Sequence, residues 1–165
     1  MQTRILVDSA GTELGRVREI NFANHAIASI DTSGRANISV VPKTIYGGGR
    51  VTFSNTSSQF ISILWNESLA TESIVQSPVP VAGTFKRLYI NLTTNTYTVA
   101  INFILRVNGA NSALGSNIPA GTTGIFVDTT NSVNVLDSDL VCYQFSSTVA
   151  TGSIRVAGSV EFDFA

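Results

Sequence analysis

Charge is the scarcest commodity in this chain. Of 165 residues only 13% are Asp, Glu, Lys or Arg, about half the ~25% usual in soluble domains. Mean hydropathy is positive, at +0.25. No apolar run approaches the ~18 residues a spanning helix needs, so membrane insertion does not account for that hydrophobicity. Acidic and basic residues are scattered and nearly cancel, leaving −1. Nucleic acid needs a basic stripe and is not an expected partner. The opening Met1-Gln2-Thr3-Arg4 leads into no apolar stretch, so no signal peptide is expected. A chain this poor in charge has apolar surface to cover, and self-association is the simplest cover.

Single copies exclude more. One cysteine, Cys142, rules out an internal disulfide framework. Its alternating neighbours place it in a strand, as a small buried hydrophobe rather than a reactive thiol. One histidine, His25, has no second histidine for a zinc set or a triad and reads as a turn residue. Neither Gly-X-Ser-X-Gly nor His-Glu-X-X-His occurs, and the few acids do not converge. The expectation is a protein that is not an enzyme and has no cofactor or metal. Asp137 and Asp139 flank Ser138 in ordinary turn chemistry, without the spacing of a calcium loop. Chelators should therefore leave the melting temperature unchanged; a drop with EDTA that calcium restores would point to this aspartate pair.

What is present is period two. From Tyr97 the apolar residues are Tyr97, Val99, Ile101, Phe103, Leu105 and Val107, and before them Leu88, Ile90 and Leu92. That alternation is a half-buried antiparallel strand. Thr93–Thr96 between the two runs predicts a long hairpin, and Asn108-Gly109 a tight turn after it. Arg50–Phe53, Gln59–Trp65, Ile125–Asp128, Val133–Val135, Asp139–Phe145 and Ile154–Phe164 read as further strands, with a bulge or bend at Gly158. Asn66–Ser73 is the one window with helical flavour, and its β-branched and hydroxyl residues argue against a helix. Many strands with frequent turns predict an all-β fold, an antiparallel jelly-roll-like sandwich. A small β-hairpin module precedes it.

That module spans residues 1–45 and the sandwich 50–165. Pro42 and the run Gly47–Gly49 mark the boundary, since neither continues a packed ladder. A strand, not a helix, follows those glycines, which excludes a phosphate-cradling loop. Thr3–Asp8 and Gly15–Phe22 are strands of the module. Ala26–Ile30 and Ala36–Val40 flank the turn Asp31–Gly34. Hairpins of this size do not stand alone. Ile20, Phe22, Ile30, Ile38 and Val40 lack an obvious partner within the chain and are the expected oligomer interface.

The order Gly11, Gly15, Val17, Ile20-Asn21-Phe22 and a hairpin around Gly34 resembles a short module of bacteriophage tail-fibre and other virion proteins. Over about half the chain, Arg106, Asn108, Gly109, Leu114, Asp139, Leu140 and Val141 stand as in a jelly-roll domain of phage fibres and particles. The trimeric complement-globular and tumour-necrosis-factor type jelly roll is more distantly similar. The resemblance implies a homotrimeric virion structural protein, a short fibre or a capsid or tail decoration protein. Its partners would be other virion proteins and, at the host surface, a glycan. Replacing Ile38 by Asp should then break assembly. The alternative is a carbohydrate-binding, lectin-like module, with Asn and Tyr side chains and Trp65 meeting sugar hydroxyls and ring faces.

Overall fold

The computed structural model describes backbone and side chains from Thr44 onward and, before that, the backbone of four strands and of Lys43. The chain divides into two compact units, Met1–Val41 and Pro42–Ala165. In the first, β1 (Leu6–Ser9) pairs antiparallel with β2 (Thr12–Arg16), closing tightly at Ser9↔Thr12. β3 (Ala26–Ile30) pairs with β4 (Ala36–Val40), matching Ala26↔Val40, Ala28↔Ile38 and Ile30↔Ala36. That register agrees with the shared parity of the apolar positions. Residues 17–25 and 31–35, which include Ile20, Phe22 and His25, lie outside the described residues, as do the side chains of Ile30, Ile38 and Val40.

The second unit opens with β5 (Lys43–Gly47). Then come β6 (Val51–Ser54), β7 (Ser58–Ile61), β8 (Ser68–Leu69), the single-turn α1 (Glu72–Val75) and β9 (Ser77–Pro78). The long strands follow: β10 (Gly83–Asn95), β11 (Ile101–Val107), β12 (Ala110–Ile118), β13 (Gly124–Val135), β14 (Leu140–Ser147) and β15 (Ser153–Phe164). A five-stranded sheet runs β13-β10-β15-β5, with β6 also on β15. A six-stranded sheet runs β12-β11-β14-β7-β8, with β9 also on β14. Most successive long strands therefore change sheet, the wrapping of a jelly roll.

The expected hairpin over Gly83–Gly109 is corrected by this topology. β10 pairs with β13 and β15, whereas β11 pairs with β12 and β14. The two alternating runs face each other across the core rather than lying side by side. Both patterns are consistent with the same alternation, since each needs one buried face. The crossover is held by Asn95, whose side chain donates to the Thr122 carbonyl (3.1 Å) and accepts from the Tyr97 N–H (3.1 Å). Tyr97 is buried and its hydroxyl donates to the Thr56 carbonyl at 2.6 Å; burial raises its pKa. Asn108 and Gly109, both at positive φ, do form the predicted turn, between β11 and β12; this is the two-residue loop such residues favour.

Two other readings change. Gln59–Trp65 is not one strand: β7 ends at Ile61 and the chain turns, with the Trp65 N–H donating to the Ser62 carbonyl at 2.9 Å. Gly158 is not the bulge. β15 runs straight past Ile90, and the irregularities lie in β10, between Lys86 and Tyr89, where Arg87 has φ +53°, and between Leu92 and Thr94. Gly158 is a glycine for another reason. A Cβ there would lie 2.4 Å from the Trp65 ring, which fills that space from the turn above.

The opposing β12 and β13 edges are joined by one carboxylate. β13 carries extra residues between Asp128, opposite Leu88, and Ser132, opposite Lys86. Asp128 is buried and accepts from the Thr130 and Asn131 N–H groups (3.1 and 3.0 Å), the Asn131 side chain (3.0 Å) and the Gly115 N–H of β12 (3.0 Å). Burial alone would raise its pKa, but these donors favour the charged form and the net shift is downward. A lowered folded pKa means its stabilisation is complete above the unfolded value and is lost as pH falls through the folded one. Asp128→Asn should therefore flatten the acid limb of stability below about pH 4, and Asp128→Ala should cost ~1–3 kcal/mol at neutral pH by orphaning the donors. Urea titrations between pH 7 and pH 2 test both; an unchanged acid limb in the Asn variant would remove Asp128 from that role.

Candidate functional site: the outer face of the five-stranded sheet

Alternation gives each sheet an inner and an outer face. On the five-stranded sheet the inner face carries Phe85, Leu88, Ile90, Leu92, Ile154, Val156, Val160 and Phe162, all buried. An outer face in water should be polar, and here part of it is not. Asn91 lies between Ile125 and Ala157, and Tyr89 between Val127 and Ser159. Ile125 is 70% exposed, Val127 49% and Tyr89 43%. Between them is a shallow depression of about 280 Å³ lined by Tyr89, Asn91, Ile125, Ala157, Gly158 and Ser159. On the far edge of the same face, Ile45, opposite Glu161, is 75% exposed.

Charges occupy the remaining part of the face. Lys86 pairs with Glu161 (3.7 Å) and with Asp163, and the Arg87 Nη1 donates to Glu161 Oε2 at 3.2 Å. Two cations and two anions thus meet on this part of the face. Exposed pairs of this kind stabilise little; Arg155, exposed and of the same outward parity on β15, adds a further cation to this face.

The residues carrying the phage-particle resemblance lie elsewhere and make structural contacts. Arg106 forms a bidentate pair with Glu72 of α1 (2.7 and 3.0 Å). It also donates to Gln144 (3.0 Å), Asn111 and the Gly109 carbonyl, and stacks over Phe60. Asn108 accepts from the Leu140 N–H (2.8 Å) and donates to Asp139 (2.7 Å), whose other oxygen accepts from the Leu136 N–H (2.7 Å). Those two bonds lower the Asp139 pKa. Among the described residues no group of three or more His, Cys, Asp or Glu is placed to hold a metal ion. Cys142 is buried beneath Glu72 and Arg106, and burial, with the Glu72 carboxylate beside it, pushes its thiol up to about 12. It is inert at neutral pH.

Trp65, named above as a sugar platform, is fully buried, with its ring 4.7 Å from that of Tyr143. It presents no face to solvent. The indole N–H and the Tyr143 hydroxyl both lack a partner within hydrogen-bond geometry, though the indole lies close enough to offset part of the large upward pKa shift that burial imposes on Tyr143. Tyr97 and Tyr143 are buried and Tyr46 is half-buried, leaving Tyr89 as the exposed tyrosine of the described residues. Sequence reasoning missed the outer face because Tyr89, Ile125 and Val127 follow the same parity as polar residues around them. Only their neighbours across the ladder make a patch.

No family model matches this chain, and no curated protein matches it. Among solved structures, an exo-β-1,3-galactanase from Phanerochaete chrysosporium, crystallised with galactose, aligns over 78% of the chain at 16% identity. The chain spans 36% of that protein, and the TM-score is 0.23. A superposition at that level carries no argument.

Proposed function

We propose that this chain is a structural protein of a bacteriophage particle, a homotrimeric short fibre or a head or tail decoration protein, located in the virion. The observation that carries the self-assembly is the outer sheet face. Tyr89, Ile125 and Val127 form an exposed apolar strip on that face, and exposed apolar patches are where association surfaces lie. The first unit supports the same reading. Its β1–β2 and β3–β4 pairs are separate two-stranded sheets, which are marginal in isolation and need copies of themselves or another surface. Ile20, Phe22, Ile30, Ile38 and Val40 are the positions proposed to contribute there. The phage assignment rests on the resemblance of the module and the jelly roll, and a host-surface glycan remains a proposed partner of the assembled particle.

Light scattering on the full chain at micromolar concentration tests the assembly. The expected mass is three times the 17.5 kDa protomer; a monomer defeats the reading. Mass spectrometry of purified particles tests the location. A monomer that binds a glycan array would establish the lectin alternative instead.

A further inference from the structure

We infer that Asn108 is a site of covalent self-modification, deamidation through the backbone nitrogen of Gly109, and that its hydrogen bonds to the start of β14 hold the reaction back. This does not depend on the assembly reading above. Asn108-Gly109 is the one Asn-Gly pair in the sequence. Asparagine is among the thermolabile residues, and a glycine after it leaves the attacking nitrogen unscreened by any side chain. Here the pair is the exposed two-residue loop between β11 and β12, and nothing stands within 4 Å of where a Gly109 Cβ would be. Three bonds dock the loop. The Asn108 N–H donates to the Leu140 carbonyl (2.8 Å), its side-chain oxygen accepts from the Leu140 N–H (2.8 Å), and its side-chain nitrogen donates to Asp139 Oδ1 (2.7 Å). The last two aim the carboxamide at Asp139 and Leu140, and its carbon must leave them to meet the Gly109 nitrogen.

The step needs only water. The Gly109 N–H gives its proton to hydroxide, the nitrogen bonds to Asn108 Cγ, and the Cγ–Nδ2 bond breaks as ammonia leaves with a proton from water. Water then opens the cyclic imide at one carbonyl or the other, leaving aspartate or isoaspartate. Either product changes the loop. Where Nδ2 donated, an oxygen now faces Asp139 Oδ1, so an attractive contact becomes one between like charges. Isoaspartate also adds a backbone carbon to a loop that joins Val107 to its ladder partner Ala110 with no residue to spare. The Gly109 carbonyl is itself a partner of Arg106, whose guanidinium holds Glu72 of α1 beside Cys142. A displaced loop therefore withdraws one contact from that clamp.

Peptide mapping with isoaspartate detection, after the full chain is incubated at mildly alkaline pH, tests the site. In urea, where the loop is undocked, product at residue 108 should exceed that at any other asparagine. The folded wild type should form it at least several-fold more slowly. Folded Asp139→Ala should be several-fold faster than folded wild type at Asn108, while Asn131, held by Asp128, keeps its wild-type rate. A folded wild type that modifies as fast as the chain in urea overturns the protection, as does an Asp139→Ala variant with no acceleration. An equal rise at Asn131 would show general loosening and overturn it too. No product at residue 108 in urea would remove the site altogether. The charge change is read separately. Asn108→Asp should lower the melting temperature, and Asn108→Asp/Asp139→Asn, which restores one amide facing one carboxylate, should recover most of the loss. A double variant no more stable than Asn108→Asp would show that the like-charge contact does not form.

Discussion

Truncating Phe103 to Ala should destabilise the protein by about 3–5 kcal/mol, the range for removing a buried aromatic ring from a packed core. Phe103 has no solvent exposure. It stands at the middle of β11, with its ring centroid 5.5 Å from that of Phe145 and 6.1 Å from that of Trp65. Phe145 in turn meets Phe53 at 4.8 Å and Tyr97 at 5.2 Å. The vacated space therefore borders several rings locked by one another, and such a site collapses poorly. Denaturant titration is the measurement, and a loss below about 1 kcal/mol would mean that Phe103 does not occupy the core.

The second large effect joins Trp65 to Gly158. Trp65→Ala should also cost ~3–5 kcal/mol. Gly158→Ala should cost ~1–3 kcal/mol, because the new methyl would meet the indole at 2.4–2.6 Å and the Tyr89 carbonyl at 2.8 Å. The two are coupled through one space, so their costs will not add. In the Trp65→Ala background the glycine substitution should cost clearly less than in the wild type. A residue from the Tyr89 carbonyl clash should remain. Trp65 is the sole tryptophan, so its fluorescence reports unfolding of the wild type and of Gly158→Ala; circular dichroism serves for the variants that lack it. Strict additivity would show that Gly158 is not kept small by the indole.

The same pair shows where reading the chain stopped. Gly158 interrupts an alternating strand, and from the sequence a bulge is the natural inference. The cause is a side chain more than ninety positions earlier in the sequence, brought there by a turn at Ser62–Trp65 that holds Trp65 at φ +56°. Nothing local to either residue announces the contact. The actual irregularities, at Arg87 and between Leu92 and Thr94, lie in a run whose alternation from Leu88 to Leu92 looks regular, and they are visible only against the neighbouring strands.

Composition and period two were enough to determine the class: an all-β sandwich, the burial of Leu88, Ile90, Leu92, Ile101, Phe103 and Leu105, and the tight turn at Asn108-Gly109. These are local consequences of side chains alternating across a strand and of glycine and asparagine tolerating positive φ. Pairing partners are not local. Whether β10 lies beside β11 or across the core from it leaves the same alternation, and only the tertiary structure placed them in different sheets. The outer face follows the same logic. Tyr89, Ile125, Val127 and Ile45 come from three strands, each exposing an apolar residue that is unremarkable alone. The sheet order makes them one surface, because neighbours in a ladder are chosen by topology and not by distance along the chain.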